Sequence, residues 1–557
     1  MPYVLLLVLA AMAAPFAGAQ EVTPDVRRSQ AAARIGVGIL QRELGLREAV
    51  ELALKNNLDI EIERASRAIA YQGIQSARGA FDPTFRWAPS IDSRATPTGS
   101  VLQAADGRLV DRFMGQNFYF RQPLPWQGSS VNLDFENGRT STNNPFVALN
   151  PFVTSRLAIG FTQPLLRNRL IDQLRADITV RKKQADISEI EFEVKVIDVV
   201  TRVEQAYWDL VAARQDVQVK ADAVDWAREQ VARSKRMIET GTLAPVEIAA
   251  AEAELERRLD TYFTSLGLVT EAENSLKIML ASDRDSTLWG DEIVPAESRR
   301  LEAPAVENLR EAVDEAIRVR PELKLVGLRL ESNDVQKELA KNQTKPQVNL
   351  FAGYTSMGLG GAASTAGNPF EDMNAGLFRQ VNELSARAGL PPLPMPTFAG
   401  LPSNLVGGYG TALSNLFGGN FQGVQAGISF DLNLRNRTAE ANLAQATIAE
   451  RRLKLERMRV EQGVEAQVRN ALQSLETARQ RMTAAEASAR AAKEKLDSET
   501  RLFQTGESTN FMVLTRQNEY SDSRHRAVVA SLDYNRSVAR LLQALGRTLR
   551  FHQIELQ

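Results

Sequence analysis

The sequence predicts an internally duplicated α+β membrane protein in which β-strands cross the bilayer and long helices form coiled coils. Three observations predict this fold class. The stretch LREAV occurs at Leu46–Val50 and again at Leu309–Val313. Alternating apolar and polar residues follow each copy, which is the pattern of a strand with two unlike faces. A region without glycine or proline then extends from 168 to 240, which is long enough for a rod-like helix.

The composition excludes several classes of protein. The 557 residues include 67 lysines and arginines against 68 acidic residues, so the net charge gives no argument for nucleic acid or an acidic substrate as a partner. There is no cysteine, which excludes disulfides, thiolate metal sites and cysteine nucleophiles. The histidines are His525 and His552 alone, so an enzyme would have to work with carboxylates. We therefore predict no enzyme, no cofactor and no metal site.

The N-terminal end has the features of a secretory signal peptide over residues 1–19. Val4–Ala14 is a short apolar run, and the triplet AGA at 17–19 supplies the small residues of a cleavage site. We expect the mature chain to begin at Gln20. No later stretch of about 18 residues is uninterruptedly apolar, so the sequence predicts no transmembrane helix.

The repeat extends well beyond five residues. A shift of 263 positions keeps about 40 residues in register from the two LREAV stretches onward. The match resumes later, where ETG at 239–241 faces QTG at 504–506. The predicted organisation is an N-terminal segment at 20–45, a first repeat at 46–282, a linker at 283–308, a second repeat at 309–547 and a tail at 548–557.

The predicted long helices carry apolar residues at every seventh position. A helix from Asn168 to Thr240 would be roughly 110 Å long at about 1.5 Å per residue. A seven-residue period is typical of helices that pack side by side in a coiled coil. In the first repeat the series is Val196, Val203, Leu210, Val217, Val224, Val231 and Ile238. In the second repeat it is Val468, Leu475, Met482, Ala489, Leu496 and Phe503. An ordinary coiled coil would explain the helices, but not the segments before them.

Those segments alternate apolar and polar residues and are predicted to be strands, at about 83–163 and about 346–434. The second repeat has PQVNLFAGYTS from Pro346 and an alternating run from Val424 to Leu434. The first repeat has NFYFRQ, SSVNLDFENG and SRLAIGFTQ. The segments MGLGGAASTAGNPFEDMNAG and GRTSTNNPFVALNPF are rich in glycine, serine, asparagine and proline, so we expect them to be loops.

The number of strands decides whether one chain can close a barrel. A chain offers two strands from the second repeat and two or four from the first. The number of strands in each repeat is even because the helices before and after the strand segment lie on the same side of the membrane. Strands in lipid must form a closed barrel, and small barrels start at about eight strands. Several copies must therefore share one barrel. A soluble β-sandwich would show the same alternation and is the alternative.

In the order of its motifs the chain resembles the TolC-like outer-membrane efflux proteins, the outer membrane factors of tripartite efflux pumps and type I secretion systems. The resemblance rests on LREAVELALKNN, on QPLLRN and LNLRNR at the head of the long helices, and on ETG and QTG at their ends. It implies a homotrimer whose outer-membrane β-barrel is continuous with a long periplasmic α-helical coiled-coil barrel. Most of the chain would then lie in the periplasm.

The resemblance also implies partners and a mechanism. The channel would be a passive exit duct for substrates that an inner-membrane pump of the RND, ABC or MFS type delivers through a periplasmic adaptor. The barrel would contact outer-membrane lipid, and no nucleic acid is expected. The alternative is a secreted coiled-coil structural or adhesive protein with a soluble β domain.

Each predicted long helix ends at a threonine followed by a glycine, which suits the left-handed residue at a helix C-terminus. A plain turn of a helical hairpin needs nothing more. The resemblance implies that both turns lie at the periplasmic tip, where the tube narrows and the adaptor docks. The candidate docking residues are Thr240, Gly241, Thr242, Thr505, Gly506 and Glu507.

The resemblance further implies a gate just beyond these turns. Glu247 fits an acidic gate position, but the matching residue of the second repeat is Met512, and Ser508 stands where a basic residue is expected. The sequence thus gives no matched pair of charges for a latch. Phe503 is a candidate constriction, and packing between helices is the alternative role. The candidate gate or constriction residues are Glu247, Phe503 and Met512.

The first repeat departs from the family pattern of one strand hairpin per repeat. The segment NFYFRQPLPWQGSSVNLDFENGRTS predicts an additional hairpin with its turn near 126–128. Three chains would then supply 18 strands instead of 12. The alternative is a flap outside the barrel. We expect additional strands of the barrel.

Overall fold

A computed structural model describes residues 41–100, 102–104, 106–241, 244–297, 301–306, 308–365, 369–394 and 400–555. Side chains are described for all of these residues except 369–373. The predicted signal peptide at 1–19, most of the predicted N-terminal segment and the candidate residue Thr242 lie outside the described residues.

Helices and strands follow one another in a similar order in the two halves of the chain. The first half contains β1 (Gln41–Leu44), α1 (Leu46–Asn56), α2 (Leu58–Arg78), β2 (Thr84–Pro97), β3 (Arg108–Pro123), β4 (Ser130–Thr142), β5 (Leu149–Pro164), α3 (Gln173–Glu239) and α4 (Val246–Leu280). The second half contains β6 (Glu292–Pro295), α5 (Leu309–Val319), α6 (Pro321–Gln343), β7 (Gln347–Ala363), α7 (Pro369–Arg387), α8 (Tyr409–Phe417), β8 (Phe421–Asp431), α9 (Arg437–Gln504), α10 (Asn510–Ala544) and α11 (Thr548–Phe551). Corresponding helices have nearly equal lengths, with 67 and 68 residues in α3 and α9 and 35 in both α4 and α10.

The chain folds as two compact units. The helical unit contains the residues up to Glu63, Phe192–Pro321 and the residues from Gln462 onward. The sheet unit contains Arg64–Glu191 and Glu322–Glu461. Both glycine turns after the long helices therefore belong to the helical unit, and the six long strands belong to the sheet unit. None of the described helices is both long and apolar enough to cross a membrane.

The sheet unit is built on one six-stranded antiparallel sheet in the order β2-β3-β4-β5-β7-β8. One face is apolar, as a single row of paired residues across all six strands illustrates: Phe85, Phe120, Leu133, Ile159, Tyr354 and Val424. The next row points to the other face and is mainly polar or small: Arg86, Tyr119, Asp134, Ala158, Thr355 and Gly423. Val424 on the apolar face is 81% exposed. No second sheet covers this face among the described residues, which argues against the β-sandwich.

The additional hairpin of the first repeat is part of this sheet. Leu124 donates its N–H to the Ser129 carbonyl at 2.8 Å, and Gln127 and Gly128 between them have φ values of +49° and +69°. The turn therefore lies where the sequence predicts it. Because β3 and β4 lie between β2 and β5, the hairpin supplies additional strands to the sheet as expected, and the alternative of a flap outside the sheet is wrong. Four strands come from the first half and two from the second.

Four predicted boundaries are wrong in detail. The helix α3 begins at Gln173 rather than Asn168, and β8 ends at Asp431, before Leu434. The predicted loop GRTSTNNPFVALNPF is mostly strand, because only residues 143–148 connect β4 to β5. The predicted loop MGLGGAASTAGNPFEDMNAG contains the end of β7 and the beginning of α7. The glycines of that segment allow a helix to pack directly on the strand, so they do not mark a loop.

The core of the helical unit lies around the strands β1 and β6. The strands β1 and β6 pair in parallel, from Gln41 opposite Glu292 onward. The side chains of Leu44, Tyr207 and Leu210 are fully buried, and the Tyr207 hydroxyl donates to the Leu44 carbonyl at 3.1 Å. Burial, reinforced by the hydrogen bond to the Glu297 carboxylate, raises the pKa of Tyr207. The phenol therefore remains neutral and acts as a donor in this core.

Two pairs of ionisable side chains are also buried in the helical unit. Lys277 Nζ lies 2.7 Å from Glu273 Oε1, and both side chains are inaccessible to solvent. Lys277 donates in addition to the carbonyls of Trp289 and Asp291 at 3.1 and 2.6 Å. His552 Nε2 lies 2.6 Å from Oε1 of the buried Glu204 on α3. These contacts attach the linker to α4 and the tail to α3.

The seven-residue series of the two long helices differ in burial. In α3 every member from Val196 to Val231 is buried, and Ile238 is half-buried. In α9 the members Val468, Met482 and Leu496 are buried, whereas the alternate members are half-buried. The predicted packing stripe is thus present in both helices, but within one chain it is more completely covered in α3.

Candidate functional site

The first candidate turn joins α3 to α4. The Thr240 hydroxyl donates to the carbonyls of Arg236 and Met237 in the last turn of α3, at 3.2 and 3.1 Å. Gly241 follows with a φ of +72° and donates its N–H to the Ile238 carbonyl at 3.0 Å. A side chain is disfavoured at this φ, so the threonine and the glycine end the helix by local interactions.

The second candidate turn, which joins α9 to α10, is built in the same way. The Thr505 hydroxyl donates to the Leu502 carbonyl at 3.0 Å, and Gly506 has a φ of +85°. The N–H groups of Gly506 and Glu507 donate to the carbonyls of Phe503 and Leu502 at 3.2 and 2.9 Å. This pair of bonds is a Schellman motif. The structure thus gives the described candidate residues of both turns equivalent positions.

The two return helices each place an exposed apolar residue in their first turn. Val246 is 74% exposed at the start of α4, and Phe511 is 73% exposed at the start of α10. Neither residue is among the candidates that the sequence predicts. The signal that could have found them is their spacing of 265 residues, which is also the spacing of Gly241 and Gly506. Each turn therefore combines exposed backbone with one apolar side chain.

The candidate gate residues have different environments. Glu247 is exposed, and no ion pair holds it within the described part of the chain. Met512 is half-buried, and its N–H donates to the Thr509 hydroxyl at 3.4 Å. The half-buried Phe503 ring lies 5.9 Å from the guanidinium carbon of Arg233, which is a cation–π contact. Phe503 thus has a packing partner within the chain. The docking and gate roles stay predictions.

A charged cluster lies beside the second turn. The Ser508 hydroxyl donates to Oε1 of Glu499, and Arg516 lies 3.6 Å from the other carboxylate oxygen of Glu499. Arg516 also lies 2.8 Å from Glu519, whose hydrogen bond raises the pKa of this guanidinium. A hydroxyl therefore contacts Glu499 at the position where the family pattern suggests a basic residue.

An arginine network joins α4 to α10 farther from the turns. The buried Arg258 donates to Gln517 Oε1 and Asn518 Oδ1 at 3.3 and 3.0 Å, and to Glu254 at 2.8 Å. Burial by itself raises the pKa of Glu254, but hydrogen bonds from Arg257 and Arg258 outweigh it and lower the pKa to about 2. The carboxylate is therefore ionised at neutral pH and orients the arginine that connects the two hairpins.

The described residues contain no cluster of histidine, aspartate and glutamate that could hold a metal ion. Both histidines contact carboxylates of α3 instead. His525 Nδ1 lies 2.6 Å from Asp216, and His552 contacts Glu204. These contacts connect helices and give the histidines a packing role.

A two-faced antiparallel sheet in one unit, together with long helical hairpins that end in glycine turns in the other, defines the class of TolC-like channels. The chain belongs to the outer membrane efflux protein family, whose model matches residues 130–282 and 312–547. This match confirms the predicted family. The family is one of efflux channels and not of enzymes.

Solved structures of membrane proteins, among them outer-membrane channels, share this fold. The CmeC outer membrane channel of Campylobacter jejuni has a TM-score of 0.60 at 15% identity, over 90% of this chain and 86% of that chain. The MtrE outer membrane channel of Neisseria gonorrhoeae has a TM-score of 0.58 at 14% identity, over 90% and 89% of the two chains. A membrane protein of Pseudomonas aeruginosa has a TM-score of 0.61 at 15% identity, over 90% of both chains. At these identities the likeness extends to the fold alone. No curated protein matches the chain.

Proposed function

We propose that three copies of this chain form the outer-membrane channel of a tripartite efflux or type I secretion system. The observation that carries the proposal is the open sheet, whose edge strands β2 and β8 have 14 and 11 residues. Unpaired backbone groups at a strand edge are not tolerated in lipid, so these edges pair with other copies. Three six-stranded sheets make a barrel of 18 strands.

The two faces of the sheet support this arrangement. The apolar face, with exposed residues such as Val424, faces lipid, and the polar face lines the duct. Glycines on the polar face favour curvature toward it, because small residues on the inner side let strands curl. The Phe113 ring lies across two of them: a Cβ at Gly115 or Gly138 would lie 2.8 or 2.3 Å from ring atoms of Phe113. The sheet is therefore suited to close with its polar face inside.

The rest of the chain provides the periplasmic part of the channel. In this proposal the two repeats of each of three chains form a pseudo-sixfold tube of helices, and most of the chain lies in the periplasm. The adaptor docks at the two glycine turns, where Thr240, Gly241, Thr505, Gly506 and Glu507 offer backbone and hydroxyl groups. Val246 and Phe511 add one apolar contact to each turn. Equivalent turns allow an adaptor to use the same contacts at both.

The channel itself is passive. An inner-membrane pump of the RND, ABC or MFS type supplies the energy and delivers the substrate through the adaptor. Opening of the tip changes the population of two arrangements of the helices. Phe503, Glu247 and Met512, which lie close to the turns in sequence, are the candidate positions at which this change alters the width of the duct.

Extraction and conductance test the proposed channel. We expect the protein to fractionate with the outer membrane, to require detergent for extraction and to have the mass of three chains in native mass spectrometry. In a planar bilayer the purified trimer should conduct ions. A monomer that is released without detergent and forms no pores would contradict the proposal.

Photocrosslinking tests the docking turns. Benzoylphenylalanine replaces Phe511 or Val246 in cells, and the matched control replaces the exposed Tyr71 of the sheet unit. We expect the first two positions, but not the control, to give an adduct that mass spectrometry identifies as a periplasmic adaptor. Adducts with the adaptor from Tyr71 alone would place the docking surface elsewhere.

A further inference from the structure

The connection between β7 and β8 differs from the other connections of the sheet. The strands of the first half are joined by residues 98–107, 124–129 and 143–148, whereas residues 364–420 join β7 to β8. The described part of this insertion contains the helices α7 and α8. A turn alone would suffice to join two antiparallel strands, so the insertion requires another explanation.

The helix α8 packs on the apolar face of the sheet. Ser356, Gly358 and Gly360 of β7 point to the same face as Tyr354, because side chains alternate along a strand. A Cβ at Gly358 would lie 1.9 Å from the Ala412 carbonyl oxygen of α8. Only glycine therefore allows the helix to lie this close to the strand.

This helix covers polar residues on the apolar face. Asn137, Ser155 and Gly358 form one row across three strands, and the side chains of Asn137, Ser155 and Ser356 are buried. The Tyr409 hydroxyl donates to Asn137 Oδ1 at 3.1 Å, and the Ser356 hydroxyl donates to the Leu416 carbonyl at 2.5 Å. Without α8 these polar side chains would be exposed on the apolar face of the sheet.

The outer surface of α8 is itself apolar at its ends. Tyr409 at its beginning is half-exposed, and Phe417 at its end is 73% exposed. An uncompensated polar group costs several kcal/mol in hydrocarbon, so a lipid-facing sheet needs a cover over Asn137 and Ser356. The helix provides this cover and presents aromatic side chains in their place, as proteins do at membrane interfaces.

The preceding helix α7 is amphipathic. Leu377, Val381 and Leu384 form an exposed apolar stripe at helical spacing. The opposite side carries Ala386 and Arg379, and it is exposed to solvent as well. The Asn382 side chain holds the backbone of Leu393 through bonds of 2.7 and 3.1 Å, and Leu390 and Leu393 are exposed apolar residues of the segment after α7.

We propose that the β7–β8 insertion is a second lipid-contacting element, in which α8 completes the apolar band of the barrel and α7 lies in the interface of the outer leaflet. The inference rests on the proposed function, because that function gives the apolar face to lipid. Lipid is the expected neighbour of α7 because α8 lies on the apolar face of the sheet and α7 precedes α8 in the same insertion. A helix with one apolar and one polar side is the form that lies in a bilayer interface.

Single cysteines test this inference, because the chain has none of its own. Spin labels are attached at Leu384 and Phe417, at Ala386 as the matched control on the polar side of α7, and at Val424 as the reference on the barrel. The labelled full-length trimers are placed in liposomes, and their conductance is measured. Accessibility to oxygen, which concentrates in lipid, is compared with accessibility to a water-soluble nickel chelate.

We expect Leu384 and Phe417 to match Val424, with a ratio of oxygen to nickel accessibility severalfold above that of Ala386. Labels at Leu384 and Phe417 that are as accessible to nickel as Ala386, in conducting trimers with Val424 in lipid, would overturn the inference and leave the proposed channel intact. Low accessibility to both reagents, with coupling between labels of different copies, would also overturn it, because protein would then cover α7. Exposure of Val424 to nickel would instead contradict the proposed function.

Discussion

The two helical hairpins share their lengths and their turns but not their cores. Residues of α4 correspond to residues of α10 at a spacing of 265 positions. The buried pair Glu273 and Lys277 of α4 thus corresponds to Val538 and Leu542 of α10, which are also buried. Lys277 donates to two carbonyls before β6, which explains why a cation is useful there. The two helices have the same length, but α4 buries an ion pair that bonds to the linker, whereas α10 buries apolar side chains at the corresponding positions.

The long helices differ in a related way. The helix α3 contacts α4 through Arg258, which donates to the Ala223 carbonyl at 2.8 Å, and contacts α10 through the pair Asp222–Arg524 at 2.5 Å. Its apolar series is covered by neighbours of the same chain. Alternate members of the series in α9, such as Leu475, are only half-buried. We infer that other copies of the chain cover these residues in the proposed trimer.

The largest effect is expected from breaking the ionic core of the first hairpin. Lys277→Leu leaves the Glu273 carboxylate buried without its cation, and we expect a loss of about 3–5 kcal/mol in the free energy of unfolding. Adding Glu273→Val reproduces the residues of α10 and removes the unpaired carboxylate. Two carbonyls then lack a donor and the Ile293 N–H lacks its acceptor, and we expect the double variant to lose less stability than Lys277→Leu because no buried charge is left unpaired. Urea unfolding, followed by circular dichroism, measures the free energy of unfolding of both variants. A double variant less stable than Lys277→Leu would show that the apolar residues of α10 cannot replace the ion pair of α4.

Truncation of the apolar series sharpens the difference between the long helices. Leu210→Ala in α3 creates a cavity in a closed core and should cost about 2–5 kcal/mol. The corresponding Leu475→Ala in α9 should cost less in unfolding and should instead lower the fraction of trimer in native mass spectrometry. Val203→Ala and Val468→Ala are the matched controls, because both valines are fully buried and should cost the same. Equal effects of Leu210→Ala and Leu475→Ala on unfolding and on the fraction of trimer would show that the apolar series of α3 and α9 are covered to the same extent.

The turns are expected to behave alike. Gly241→Ala and Gly506→Ala force a side chain into the left-handed region, and each should cost about 1–2 kcal/mol. Gly267→Ala and Gly463→Ala are controls inside helices, where the structure leaves open space around a Cβ. These controls should gain up to about 1 kcal/mol. The thermal midpoints of the four variants provide the test, and a clear difference between the two turns would contradict their equivalence.

The smallest effect concerns the arginine network of the first hairpin. The pKa of Glu254 is lowered in the folded protein to about 2 from its ordinary value of 4.5. Its stabilising contribution is therefore complete above about pH 4.5 and is lost as the pH falls through about 2. Because the site is partly solvated, we expect less than about 1 kcal/mol. Glu254→Gln should flatten the dependence of stability on pH in this window, whereas Glu519→Gln controls for the lost charge. An unchanged slope would contradict the prediction.

Much of the fold could be predicted because its signals are local. The helix ends depend on Gly241 and Gly506, and the strands depend on alternation that every segment carries by itself. The two-faced sheet could be predicted for the same reason. The role of Gly358 could not, because it depends on Ala412, which approaches from about 50 residues later in the chain. The sequence alone therefore predicts a loop at these glycines, although the apolar stripe of α7 is visible in it.

The candidate site was predictable only in part. The described threonine and glycine residues of the turns occupy equivalent positions, as the repeat predicts. The exposure of Val246 and Phe511 depends on what surrounds each turn, and a single apolar residue carries no signal of this. Glu273 and Lys277 have the spacing of an ordinary surface pair on a helix. Their burial follows from the linker, which folds over them and which no local pattern indicates.

The contact between His552 and Glu204 has a practical consequence for handling the protein. A chain that stops at Phe551 would lose the imidazole and leave the buried carboxylate of Glu204 on α3 without this partner. Affinity tags at the C-terminus should therefore follow the complete tail and be joined by a flexible spacer. Carboxypeptidase trimming during purification would have the same effect as a deliberate deletion, and intact-mass measurement of each preparation would detect it.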